Sequence, residues 1–512
     1  MNHQVQTVES WVAGPDTEPT GRVAVVDLGS NSGRLVVFDQ YGSGYLSIVE
    51  DARVPLRLAS DLQRDGRLSD EAMVRTIDAL HEFHSIARGA GADRIIVVGT
   101  ASMREASNGD AFLHSIQEAA GLPVEILDGD SEARYSFMGA IHGLPVWNGY
   151  VLDIGGGSLE ITQFRDRRDV ASWTLPLGAL RTTTEFIKSD PPASKEIRNL
   201  KKYVTRMLMD VGITPAESED VLVGTGGTIR NLAKIDRKSR RHLIDRLHGY
   251  HLPFSRVRRI TSVLSSSDLS RRANMSGLNS DRADSIVGGA IAAQAVMEAI
   301  GADDLLVSGK GLREGIAFGL ADSHVPDPEY VKRTSIAALA RRFGSWEAER
   351  AEQRIAALTQ LISVLEIDAQ PEFCAMSVFA ACLLDIGRSV DYYDRLSHSA
   401  TIVQVADLDG FTHREIALLA AIIREADRRQ SDLSQYMPLL TDADADSVAR
   451  FGMVLLIADE IERRYPRNTE IKLKIECEPE SVTITIPPFS EYGVAKLGER
   501  FHRVFGRELV FN

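Results

Sequence analysis

Two short segments of the chain repeat one arrangement of chemical groups. Asp27-Leu28-Gly29-Ser30-Asn31-Ser32 and Asp153-Ile154-Gly155-Gly156-Gly157-Ser158 each pass from a carboxylate through a glycine turn to a serine hydroxyl, and the copies lie 126 residues apart. Backbone N–H groups in such a turn converge on an oxyanion, and glycine allows both the dihedrals and the close approach. Ser30, Asn31 and Ser32 add side-chain donors to the first turn, and Ser158 adds one to the second. Two more glycine turns follow apolar runs, Gly224-Thr225-Gly226-Gly227-Thr228 and Gly309-Lys310-Gly311. Each leads toward a helix, whose free N-terminal amides favour anions. One glycine turn is common in structural hairpins; four at strand ends, two of them copies, predict a phosphate cleft between two related domains. Neither G-x-x-x-x-G-K-[ST] nor G-x-G-x-x-G occurs, which excludes the P-loop and dinucleotide fingerprints. Asp27 and Asp153 leave two readings open. Each can cap its own turn, or the pair can face a common cleft and hold metal or water. Magnesium suits the second reading, because it keeps several waters and takes few protein oxygens.

The elements that position these turns are short apolar strands alternating with helices. Val23–Val26 reads as a buried strand with Leu35–Phe38 as its hairpin partner. Helices are expected at about Glu71–Arg88, Asp110–Ala120 and Ser131–Ile141, with strands at Ile95–Val98 and Val124–Leu127. This is an α/β pattern around a mainly buried sheet, and it restarts at Val151. Pro326 and Pro328 mark a linker, after which Tyr330 to about Arg464 reads as helical. Arg341–Arg354 reads as a solvated helical face. Alternation over Glu470–Cys477 and Ser481–Ile486 suggests a terminal hairpin. The expected divisions are a lead at 1–21, domains at 22–145 and 146–325, a helical domain at 330–465 and a small α+β domain at 466–512.

The 512 residues hold 72 acidic and 58 basic side chains, a net charge of -14, with 44% hydrophobic residues. That composition describes a folded chain and excludes disordered and collagen-like classes. The negative field argues against nucleic acid or an anionic membrane as partner, so an anionic substrate needs a local cluster of cations. Three cysteines are too few for a disulfide scaffold. No signal peptide or membrane-length apolar run is visible, and a cytoplasmic location is expected. Arg313 suits phosphate or a structural ion pair equally. Lys201-Lys202, Arg237–Arg241 and Arg256–Arg259 read as solvated faces or as a basic track for a long anion.

Taken together, these motifs resemble the exopolyphosphatase and guanosine pentaphosphate phosphohydrolase family, within the actin, sugar kinase and heat-shock chaperone superfamily. The resemblance rests on the two Asp turns, Gly99-Thr100 with Arg104-Glu105, Ser131-Glu132-Ala133-Arg134 through Gly139, Asp153 to Glu160, Gly224 to Thr228, and Gly311-Leu312-Arg313-Glu314-Gly315, spanning about residues 22 to 320. It implies two duplicated actin-like (ribonuclease H-like) α/β domains, an all-α HD-like domain and a small α+β C-terminal domain. By spacing alone Glu132 is a carboxylate in the first turn of a helix, where the dipole favours it; the resemblance makes it the base that activates water. It also makes Asp153, Glu160 and Asp27 metal or water ligands, and Arg104, Lys195, Arg313 and the glycine turns (Gly155, Gly156, Gly157, Gly226, Gly227, Thr228) phosphate contacts. The implied activity is magnesium-dependent removal of terminal phosphate from inorganic polyphosphate. Trimming of guanosine pentaphosphate to the tetraphosphate is the alternative, and a non-catalytic sensor of a phosphorylated signal is an alternative of another class. A homodimer is implied on family grounds. Two departures stand out. Leu384 precedes Asp385 where an HD site has histidine, so a second metal site and a ligand role for His398 are not expected. Gly33 replaces a bulkier residue, with an expected effect on the first turn's grip.

Overall fold

The computed structural model describes residues 18–42, 44–240, 242–320, 324–365, 367, 370–427, 432–467, 469–486 and 491–512. Most of the expected lead, residues 1–17, lies outside the described residues, as does Arg241. The chain divides into two units, Glu18–Arg241 with Arg246–Pro328, and Glu329–Asn512 with His242–Asp245.

The first unit holds two sheets. One has β1 (Gly21–Leu28), β2 (Ser32–Gln40), β3 (Leu46–Pro55), β4 (Arg94–Gly99) and β5 (Val124–Ile126) in the order β3-β2-β1-β4-β5. The other has β6 (Gly149–Ile154), β7 (Leu159–Arg165), β8 (Arg168–Leu175), β9 (Val221–Thr225), β10 (Tyr250–Pro253) and β11 (Asp304–Val307) in the order β10-β11-β9-β6-β7-β8. Laying β6 on β1 makes β7, β8, β9 and β11 coincide with β2, β3, β4 and β5. Directions match as well: the first three strands of each lobe alternate antiparallel, and β1–β4–β5 and β6–β9–β11 run parallel. The 126-residue repeat is therefore a repeat of whole lobes. Strands β3 and β8 escape a search for apolar runs because much of each is exposed and charged, as at Glu50, Asp51 and Arg53 in β3 and Arg168 and Asp169 in β8.

Backbone contact fixes the helices beside the turns. The helix Gly129–His142 begins at Asp128, whose carboxylate accepts the Ser131 N–H at 2.7 Å, an N-cap worth about 1 kcal/mol. It packs on the helix Leu312–Gly319 with almost no side chain between them. A Cβ on Gly139 would lie 1.9 Å from the Gly311 carbonyl oxygen, and one on Gly315 would lie 1.8 Å from that of Tyr135. This contact holds Glu132 and Arg313, near the starts of the two helices, in fixed relation.

Gly33 does not touch the turn's anion-facing side. Residues alternate across a strand, so while Ser32 and Arg34 face one way, a Cβ on Gly33 would meet Leu56 and Phe83 of the core at 3.1 and 3.2 Å. Its departure from the family pattern is a packing matter.

The second unit is helical, with the hairpin β12 (Lys474–Cys477) and β13 (Ser481–Thr485) as expected, extended by a parallel β14 (Glu508–Phe511). The charged stretch Arg341–Arg354 is not a solvated face. Its last residue, Arg354, lies in the helix Ala348–Val364 and is fully buried on Asp385, Asp459 and Glu462. Leu384 is fully buried, and His398 is half-buried in the helix Arg395–Val405. No helix among the described residues is long and apolar enough to cross a membrane.

Candidate functional site

Both Asp turns close through the same hydrogen bond: Gly29 N–H donates to the Ser32 carbonyl at 3.2 Å, and Gly155 N–H to the Ser158 carbonyl at 3.1 Å. The turns also face each other. A Cβ on Gly156 would stand 3.3 Å from Ser30 Cβ, and one on Gly157 would stand 3.0 Å from Ser30 Oγ. Between the lobes lies a cleft of about 120 Å³, lined by both turns, by Glu132, Asp153 and Glu160, and by Arg34, Arg230, Arg282 and Arg313. Two glycines of the third turn are required by what sits on them. Gly226 has φ +84, and a Cβ there would come 2.3 Å from Asp153 Oδ1; a Cβ on Gly227 would come 2.3 Å from Arg282 Cζ. Glycine thus seats one carboxylate and one guanidinium.

The electrostatics of the cleft are those of charges drawn out of water. Burial pushes Glu132 up to about 7, against the opposing pull of Arg104, whose Nη1 donates to Glu132 Oε2 at 3.3 Å and to the Leu127 carbonyl at 2.5 Å. Burial also raises Asp27 and Asp153, and raises Glu160 well above the usual carboxylate range with help from Glu132 and Asp153. The cations move the other way. Burial, then the guanidiniums of Arg230 and Arg313, lower Arg34 to about 9; burial and Arg53 lower Arg282 to about 10. Burial followed by Arg313 lowers Arg230. Guanidiniums that repel one another in a partly dry cleft are poised for a multiply charged anion.

Asp27 Oδ1 and Glu160 Oε1 are buried without a hydrogen-bond partner. Unpartnered carboxylate oxygens in an all-oxygen donor set fit a hard divalent cation. Among the described residues no three acidic, His or Cys groups cluster as a complete cage, so a cation held here would retain most of its water.

The structure brings together Asp27, Ser30, Asn31, Ser32, Glu132, Asp153, Gly155, Gly156, Ser158, Glu160, Gly226, Gly227 and Arg313 on one cleft. Gly157 abuts Ser30 beside it. Arg104 stands behind Glu132 rather than on the cleft wall. Thr228 is buried against Gly289, and Lys195 is exposed in the first turn of the helix Ser194–Asp210; neither lines the cleft. Each of the three basic runs has a member tied to the chain's own acids: Arg240 and Arg256 pair with Asp236, and Lys201 with Glu298.

Three cleft arginines escape the motif reading. Arg34 had a signal: β1 pairs Asp27 with Arg34 as β6 pairs Asp153 with Glu160, so the repeat sets an arginine opposite a glutamate. Arg230 sits one turn beyond Gly226 in the helix Gly226–Arg240. Arg282 arrives from a short 3-10 turn with no local pattern.

A model of the Ppx/GppA phosphatase family matches residues 35–324, and one of Ppx/GppA phosphatase domain III matches residues 331–490. The chain is 30% identical over 323 residues to exopolyphosphatase 1 of Mycobacterium leprae, covering 62% of this chain and 94% of that one. It is 28% identical over 337 residues to exopolyphosphatase 1 of Mycobacterium tuberculosis H37Rv, covering 64% and 96%. Among solved structures, the Ppx/GppA family member of Aquifex aeolicus is 28% identical with a TM-score of 0.52, covering 59% of this chain and 97% of that one. An exopolyphosphatase of Cytophaga hutchinsonii, 23% identical with a TM-score of 0.53 over 59% and 98%, shares the fold.

Proposed function

We infer, from the premise that the chain belongs to the Ppx/GppA phosphatase family, that it is an exopolyphosphatase, releasing orthophosphate from the end of inorganic polyphosphate by reaction with water. The observation that carries the reading is the face-to-face approach of the Ser30 and Gly156 turns over Glu132, Asp153 and Glu160, with four arginines around them.

Phosphoanhydride hydrolysis needs the phosphoryl group held, its charge met, and a water aligned for in-line attack. The paired glycine turns and Ser30, Ser32 and Ser158 hold the terminal phosphates through N–H and O–H donors. Arg34, Arg230, Arg282 and Arg313 meet their charge. Glu132 accepts the proton of the attacking water; the water oxygen bonds to the terminal phosphorus, the bridging P–O bond breaks, and the shortened chain leaves with the bond's electron pair. A carboxylate near 7 is matched to a base working at neutral pH. Asp153, Glu160 and Asp27 would hold a divalent cation, magnesium by its preference for water and oxygen, which supplies charge neutralisation at the phosphate oxygens when bound. Arg104 positions Glu132. The lobe boundaries at 145/146 and 325, and a homodimer, belong to the same proposal.

The test is phosphate release from long-chain polyphosphate and, separately, from guanosine pentaphosphate, each with magnesium and with a chelator. Turnover of polyphosphate that stops in chelator and in Glu132→Gln supports the reading. Binding of either substrate without turnover would make the protein a sensor, and turnover of the nucleotide alone would reassign the substrate.

A further inference from the structure

In a chain whose net charge is -14, one part of the helical unit gathers several arginines. Arg350, Arg354, Arg388 and Arg395 share three carboxylates, Asp385, Asp459 and Glu462, through pairs of 2.5 to 3.1 Å. Arg463 and Arg464 share Glu460 at 3.2 and 2.8 Å.

Two hollows adjoin at this place, with Arg388, Tyr392 and Arg463 common to both walls. The narrower, about 280 Å³, adds Arg350, Tyr465 and Arg467, the last paired with Glu347 at 2.9 Å and largely exposed. Its one carboxylate, Glu462, has both oxygens engaged by Arg350. The wider, about 510 Å³, adds Arg395, has Tyr393, Leu396 and Leu456 as apolar wall, and carries the carboxylates of Asp394, Asp427, Asp459 and Glu460. Tyr392 and Tyr393 are 58% and 88% exposed, a large apolar area for a surface to leave in water. Their rings meet edge to face at 5.6 Å, and the Arg388 guanidinium lies 5.6 Å from the Tyr392 centroid.

An arginine-lined hollow beside exposed rings matches a ligand whose negative charge is joined to a flat π system. Guanidiniums fork onto phosphate, aromatic rings stack on bases, and the nearby carboxylates can accept from a base's amino group. We propose that these two hollows form a nucleotide site, with the phosphates among Arg388, Arg463 and Arg467 and the base on Tyr392 and Tyr393. An inorganic phosphate chain would use the first hollow and leave the tyrosines without a role. None of these residues belongs to the catalytic cleft, so the site stands or falls apart from the hydrolase reading.

The test is calorimetric titration of the full-length protein with the non-hydrolysable β,γ-imido analogues of adenosine and guanosine triphosphate, and with tripolyphosphate. Arg463→Gln combined with Arg467→Gln is expected to weaken nucleotide binding by about tenfold or more, the loss of charge-assisted contacts. Tyr392→Ala is expected to weaken the nucleotides and leave tripolyphosphate unmoved, with polyphosphate turnover and the thermal transition as in wild type. A photoreactive azido-adenine nucleotide should label the segment 388–396. The proposal is overturned if the nucleotides do not bind, if Tyr392→Ala leaves their affinity unchanged, or if the label falls on the turns at 27–32 and 153–158.

Discussion

Replacing Arg104 by methionine tests how the proposed base is tuned. Its guanidinium lies 3.3 Å from Glu132, and both side chains are largely withdrawn from solvent. Two unit charges at that distance interact by about 1 kcal/mol in water and about 5 kcal/mol at an effective dielectric near 20, or roughly one to three and a half pKa units. Arg104 opposes the burial that lifts Glu132 to about 7, so its removal lets burial act alone and the carboxyl rises to 8 or higher. Methionine keeps most of the apolar stem. The assay is phosphate release from polyphosphate across pH 5.5 to 9.5, scored as kcat/KM, whose acid limb reports the free enzyme. The substrate's own ionisation is common to both proteins and cancels in their ratio. Arg104→Met should lose about fivefold or more at pH 7 and recover toward wild type near pH 9. A loss equal at every pH with a raised KM would make Arg104 a phosphate contact; an acid limb that does not move refutes the tuning.

Glu132→Gln keeps the side chain's shape and removes the base, so kcat should fall by about 10² to 10⁴ with polyphosphate binding retained in a filter or calorimetric assay. Gly226→Ala forces a Cβ to 2.3 Å from Asp153 Oδ1 at φ +84; turnover should collapse, with a stability loss of about 1–3 kcal/mol in urea. Arg354→Leu leaves Asp385, Asp459 and Glu462 without their shared cation and should destabilise the helical unit by about 3–5 kcal/mol, read from its unfolding midpoint. The cleft acids make cation-free stability fall as pH rises. An unfolded Glu132 sheds its proton near 4.5 while the folded one holds it to about 7, so unfolding is favoured progressively across that window, by roughly 3 kcal/mol at its upper end. Millimolar magnesium should raise the melting temperature more at pH 8 than at pH 5.

Local pattern was enough to expose the duplicated lobes, the four glycine turns and the carboxylates at their strand ends. A glycine turn after a buried strand is a property of a few consecutive residues, and a repeat needs no knowledge of packing. The same repeat places Arg34 in the register of Glu160. Charge density misled at Arg354, because an arginine in a highly charged stretch looks solvated until distant acids close around it. What the tertiary structure decided was the seat of Arg282 on Gly227, the placing of Arg104 behind Glu132, and the burial that lifts Glu132 to about 7. Each depends on desolvation and on side chains from separate segments meeting at contact distance, and those quantities exist only once the chain has folded.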